Sequence, residues 1–343
     1  MMIGVAIIGG GIFAREEHLP AVEASENLTL KAVYSRSLES AQSLSSKSSN
    51  VDLYSEDSGE GKGYIDLLKR SDIQAVIIAL PILNQPEYIR RALSAGKHVL
   101  SEKPVAENVK DAEDLIKWYN SSIDNKRVTW SVAENQRYLN SFDYAQSQVQ
   151  KLGRVLGFRT RVHTMVQPGS KYYETEWRKS PTHQGGFLLD GGVHFTAGLR
   201  LLLGSDVVVR LSAYSNQLQK HLPPVDTVDA TMRTKSGTTG TFSVSFGTTF
   251  TGSEWTIACE GGTVSISRST ITTIINGKEE KKEVQDEATG VPPEVRKWGE
   301  ALLAGRQNER QRPEEALADL ELLENVLKSG EQNGTPVDCK FQI

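Results

Sequence analysis

From Ile3 to about Ser131, short apolar runs alternate with stretches whose apolar residues recur at helical spacing. The runs at 4–9, 28–35, 75–80, 98–101 and 127–132 are rich in Val, Ile and Ala, as strands are when helices cover both faces. Between them 20–24, 38–46, 64–69, 86–95 and 109–120 carry helical spacing, while 43–50 and 55–63 read as surface loop. This order predicts βαβ units and a doubly wound parallel sheet over 1–133. After Ala133 the pattern changes. A helix at 142–152 precedes β-rich stretches at 157–166, 207–216, 226–234, 240–250, 254–259, 262–267 and 270–275. Several alternate and are punctuated by Gly-Gly, Ser-Gly and Asn-Gly turns, which predicts a mainly antiparallel sheet with one solvated face. Helices return at 293–304 and 313–328, each opening on a proline and stopping before Gly305 or Gly330. The second domain, 134–343, is therefore α+β.

Composition narrows the partners. The 343 residues suit two domains, and with 38% hydrophobic and 24% charged residues no run of about 18 apolar residues offers a membrane span. The apolar start lacks a basic segment, is broken by Gly9-Gly10-Gly11 and runs into Arg15-Glu16-Glu17, so a cytoplasmic protein is expected. A net charge of −4 without a basic block argues against nucleic acid or anionic lipid and for a small-molecule partner. Cys259 and Cys339 stand far apart, which gives neither a disulfide framework nor a zinc site, and both read as buried thiols. The Asn-x-Ser/Thr matches at Asn27, Asn120 and Asn333 matter only in a secreted chain.

Three clusters carry candidate chemistry. Gly9-Gly10-Gly11-Ile12-Phe13-Ala14 follows a predicted strand and fits G-x-G-x-x-A: a glycine for the turn, a glycine for close approach to a pyrophosphate, and a small residue for packing. Gly9, Gly11, Ile12 and Phe13 are thus candidate contacts to a dinucleotide in a Rossmann domain. The second strand ends in Ser35-Arg36, without the carboxylate that holds the ribose of NAD; a hydroxyl and a guanidinium suit the 2′-phosphate of NADP. NADP(H) is the expected cofactor, with NAD(H) as a possible second. The run from Ala92 to Pro104 ends in Glu102-Lys103-Pro104 and delivers a lysine to the carboxyl edge of the sheet, where ligands of open α/β folds bind. In the third cluster, Gly185 to His194, Asp190 and His194 are four residues apart and would share a helix face. No third His or Cys stands at ligand spacing, so no metal is expected.

Taken together these residues, with Pro313-Glu314-Glu315-Ala316-Leu317 in the closing helix, resemble the Gfo/Idh/MocA oxidoreductases over nearly the whole chain. The resemblance implies a Rossmann domain followed by an open-faced, mainly antiparallel sheet often used for dimerisation. It also implies that Lys103, Asp190 and His194 surround the reacting carbon of a sugar, polyol or cyclic diol. Cofactor contacts are then expected at Leu80, Asn84, Glu102, Lys103 and Asn135 as well, and substrate contacts at Arg137, Trp177 and Arg178. A neutral imidazole can take the hydroxyl proton as hydride leaves a carbinol, and an ammonium stabilises the developing alkoxide. Two positions depart from the family pattern: Gln85 stands where a histidine is frequent, and Ala197 where an aspartate is common. An NAD-dependent glycosidase and a dinucleotide-binding transcriptional regulator of the same fold stay open, although a regulator has no need of the proton-transfer set. A homodimer is expected as well, on the premise that Phe242, Val244 and Phe246 lie on an exposed sheet face.

Overall fold

The computed structural model describes residues 2–45 and 51–343, and the chain divides into two compact units, Met1–Asn135 with Ala288–Ala316 and Gln136–Glu287 with Leu317–Ile343. The first unit is built on strands β1 (Ile3–Ile8), β2 (Leu28–Ser35), β3 (Asp52–Ser55), β4 (Ala75–Ile78), β5 (His98–Ser101) and β6 (Trp130–Val132). All are parallel, in the order β3-β2-β1-β4-β5-β6. The helices of this stretch are α1 (Leu19–Glu23), α2 (Leu38–Ser45), α3 (Tyr64–Leu68), α4 (Gln85–Ser94) and α5 (Val109–Ser122). This is the doubly wound Rossmann order that the alternating pattern predicts, with its switch point between β1 and β4.

Where the fold departs from the pattern, the reasons are local. The helix after the glycines begins at residue 12 and runs unbroken into α1 through a π-type turn, Ala14–His18. Arg15 and Glu16 form its exposed side, so the apolar spacing shows only from residue 20 onward. β3 is a four-residue edge strand opening on an exposed Asp52, too short for its period to show. Ser43 to Ser45 belong to α2, and residues 46–50 of the expected loop lie outside the described residues.

In the second unit α6 (Asn140–Lys151), β7 (Val155–Met165), α7 (Glu176–Lys179) and α8 (Gly186–Leu203) lead into strands β8 (Val208–Asn216), β9 (Thr227–Thr234), β10 (Thr239–Ser245), β11 (Gly247–Cys259), β12 (Gly262–Ser267), β13 (Thr270–Ile275) and β14 (Lys278–Glu283). The late helix α9 (Val291–Leu303) returns to the first unit, burying Val291, Val295 and Trp298 in one cluster with Leu19, Val22 and Leu28. α10 (Pro313–Glu331) and β15 (Val337–Asp338) close the chain. The sheet order is β14-β13-β12-β11-β7-β10-β9-β8-β15, antiparallel throughout except for the parallel pair β10 and β7. β14, Lys278-Glu279-Glu280-Lys281-Lys282-Glu283, is wholly exposed and carries no apolar alternation; its charges guard a sheet edge against stray pairing. The stretch expected as one strand at 240–250 breaks at Phe246, between β10 and β11.

The premise for association requires correction. Phe242, Val244 and Phe246 are buried, packed in one cluster with Leu188 and Leu199 of α8 and Leu322 and Val326 of α10. The opposite positions of the sheet, Arg159, Arg161, Asp229, Thr231, Arg233 and Thr241, are exposed and polar. Helices cover the apolar face within the unit, so the expected apolar patch does not exist. Among the described residues no helix is long and apolar enough to cross a membrane, and no group of three or more His, Cys, Asp or Glu is placed to hold a metal ion.

Candidate active site

The parallel strands of the first unit all end on one edge, and the residues predicted to hold a dinucleotide lie at those ends. They are Gly9 to Ala14 after β1, Ser35 and Arg36 at the end of β2, Leu80 and Asn84 after β4, Glu102 and Lys103 after β5, and Asn135 after β6. Gly9 has a φ of +121°, and a Cβ there would stand 2.2 Å from the Ala79 carbonyl oxygen, so only glycine lets the chain leave β1 this close to β4. Gly11 differs: its φ lies outside the left-handed region, and a Cβ would meet nothing within 4 Å. Packing gives no reason for a glycine there. Open space before the first turn of the helix from residue 12 is what the approach of a pyrophosphate requires, and the dinucleotide fits this edge. Arg36 is exposed and has no hydrogen-bond or ion-pair partner among the described residues.

The Glu-Lys-Pro turn after β5 is anchored from inside. The Glu102 carboxylate takes a 2.7 Å hydrogen bond from His18 Nε2 through one oxygen and a 3.2 Å bond from the Lys103 amide through the other. His18 is fully buried, on the π-type turn that follows the glycines, and its Nδ1 has no hydrogen-bond partner among the described residues. The pair ties the glycine-loop helix to the turn that presents the half-buried Lys103. Sequence reasoning missed His18; the available signal was a histidine four residues after the last position of the glycine motif. Asn135 gives its amide to the Thr289 carbonyl at 2.6 Å. Gln85, at the place of the frequent family histidine, is buried at the start of α4, and among the described residues neither of its side-chain polar atoms has a hydrogen-bond partner.

In the second unit Asp190 and His194 lie one turn apart on α8, Asp190 buried and His194 half-buried. Asp190 Oδ2 accepts a 2.8 Å bond from Arg178 Nε, and the Arg178 guanidinium lies 3.9 Å from the centre of the Trp177 ring. The short helix α7 therefore brings Trp177 and Arg178 to the candidate catalytic carboxylate. Glycines permit the close approach of α8. Gly186, at a φ of +50°, would place a Cβ 2.2 Å from the Pro223 carbonyl oxygen, and a Cβ at Gly191 would stand 2.8 Å from Phe246. Ala197 is fully buried. Arg137, expected at the substrate, is buried instead and ion-paired with Asp319, which also binds Arg200 Nη1 at 2.7 Å. Its charge is committed within the second unit.

Two family models match the chain: the oxidoreductase family's NAD-binding Rossmann fold over residues 3–125 and its C-terminal alpha/beta domain over 147–339. The chain belongs to the Gfo/Idh/MocA oxidoreductase family. It is similar to Dehydrogenase FPY6 of Fusarium mangiferae, with 42% identity covering 99% of this chain and all of that one. It also resembles the NADP(+) scyllo-inositol 2-dehydrogenase IolU of Bacillus subtilis, 28% identical over 62% of each chain. Among solved structures, an oxidoreductase of Thermotoga maritima matches with a TM-score of 0.87 and 29% identity over 98% of both chains. The 3-ketoreductase KijD10 of Actinomadura kijaniata, solved with NADP and TDP-benzene, matches at 0.80 with 21% identity over 96% of this chain and 98% of that one, a likeness of fold. The protein is thus an NAD(P)-binding oxidoreductase.

Because the fold leaves the Cβ position of Gly11 open, Gly11→Ala is expected to leave the melting temperature essentially unchanged while weakening NAD and NADP alike, by roughly tenfold. Paired thermal melts and cofactor titrations check this; unchanged affinities would show that nothing approaches the backbone there.

Proposed function

We propose that this oxidoreductase moves hydride between NADP(H), with NAD(H) the weaker cofactor, and an alcohol/carbonyl pair of a sugar, polyol or cyclic diol. The observation that carries the reading is the constellation on α8: a half-buried imidazole one turn from a carboxylate that an arginine holds in place. When bound, the nicotinamide supplies or takes the hydride. This chain's residues manage the proton and the charge. The His194 imidazole takes the hydroxyl proton in the oxidative direction and returns it in the reductive one. The Lys103 ammonium stabilises negative charge on the substrate oxygen. Asp190, fixed by Arg178, accepts hydrogen bonds from the substrate and orients it. A panel of aldoses, polyols, diols and their carbonyl partners, followed by nicotinamide absorbance with both cofactors, tests the reaction; no net conversion of any of them rejects it.

The preference for NADP rests on Ser35 and the exposed Arg36 at the end of β2. A charge-assisted contact to the 2′-phosphate is worth about 1.5–3 kcal/mol, or tenfold and more in affinity. Arg36→Ala is expected to lose that factor toward NADP(H) and to leave NAD(H) nearly unaffected. Dissociation constants for both cofactors check it; equal losses would make Arg36 a surface residue.

A further inference from the structure

β2 and β3 run parallel and in register, with Ser35 opposite Ser55, so Arg36 leaves β2 beside the point where Glu56 and Asp57 leave β3. The segment after β3 is held there by several bonds. Glu56 accepts the Tyr34 hydroxyl at 2.5 Å, Ser55 N binds the Lys62 carbonyl at 2.8 Å, and Asp57 Oδ1 accepts both the Ser55 hydroxyl at 2.5 Å and the backbone N–H of Leu38 at 2.8 Å. Leu38 opens α2, two residues after Arg36. A helix's first N–H groups are where a phosphate binds best, and here one of them is taken by an exposed carboxylate. The hydrogen bonds from Ser55 and Leu38 hold the Asp57 pKa below its ordinary value, so the group is anionic at neutral pH.

We propose that Asp57 is a specificity-determining residue that weakens NADP, opposing Arg36, by setting a negative charge and an occupied N–H beside the 2′-phosphate. The inference rests on the reading of Arg36 as the phosphate contact. It supplies from β3 the carboxylate that the end of β2 lacks. A phosphate of about two negative charges within several ångströms of a carboxylate in water-like surroundings loses up to about tenfold in affinity, and physiological salt reduces that to about threefold. NAD, without this phosphate, escapes the penalty.

Asp57→Asn isolates the charge, because the amide oxygen can still accept from Leu38 and Ser55. Titration of NADP and NAD into the wild type and this variant at low salt is expected to show NADP binding three- to tenfold more tightly in the variant, with NAD within about twofold. The gain should shrink as salt is added. Asp57→Ala, which also frees the Leu38 N–H, should bind NADP at least as tightly as Asp57→Asn, and thermal melts control for the lost cap. NADP affinities within twofold of wild type in both variants overturn the proposal. The reading beneath it fails separately: if Arg36→Ala leaves NADP binding intact while Asp57→Asn tightens it, Asp57 discriminates and Arg36 does not.

Discussion

Lys103→Met is expected to lower turnover by about 10²-fold or more while the cofactor still binds. Methionine keeps the length and the apolar stem of the side chain and removes only the ammonium, so the β5 turn with its His18–Glu102 pair should persist. On the proposed reading, what is lost is a positive charge held where negative charge develops on the substrate oxygen, and removing such a group costs on this scale. His194→Ala should lose a comparable factor, because proton transfer then falls to water. Steady-state kinetics on a substrate found in the panel, with cofactor dissociation constants measured alongside, check both. A variant retaining near wild-type turnover removes its residue from the mechanism, whereas a variant that loses cofactor binding as well points to a local collapse.

Asp319→Ala is expected to destabilise the protein by about 3–5 kcal/mol, a large part of the 5–15 kcal/mol that holds a typical domain together. Its side chain is 3% exposed and lies against two guanidiniums, Arg137 and Arg200, which are 5% and 8% exposed. Taking the carboxylate away leaves two buried positive charges facing each other without the group that neutralises them. Attraction becomes repulsion in a place water barely reaches. The network joins the turn before α6, helix α8 and helix α10, so its loss should loosen the helix that carries Asp190 and His194. Urea denaturation of both proteins measures the difference; a loss under 1 kcal/mol would show that the two arginines find other partners or water at little cost.

Much of the candidate site was legible in the residues because its chemistry is local. The turn at Gly9, the strand-end lysine at Lys103, and the one-turn spacing of Asp190 and His194 follow from glycine stereochemistry and helical geometry over a few residues. His18 and Asp57 were not legible. Each acts on a group distant in the chain, His18 on Glu102 and Asp57 on Leu38; the place of His18 four residues after the glycine motif was a local signal, but it does not name the partner. Arg137 shows the opposite case: its place in the sequence suggested a substrate contact, but a carboxylate 182 residues away neutralises it.

By itself the sequence determined the alternation that makes a Rossmann sheet, the β-rich second half, the glycine loop, and the absence of a carboxylate at the end of β2. These depend on periodicity and on the conformations each residue permits, properties that a short segment carries with it. Only the tertiary structure decided that Phe242, Val244 and Phe246 face helices, that α9 returns to the first unit, and that the end of β3 meets the end of β2 with Asp57 bonded to Leu38. Alternation along a strand separates two faces without saying which one is covered. Covering a face, returning a helix and pairing two strand ends are made by segments distant in sequence, whose meeting is set by burial of the whole apolar surface and not by any local preference.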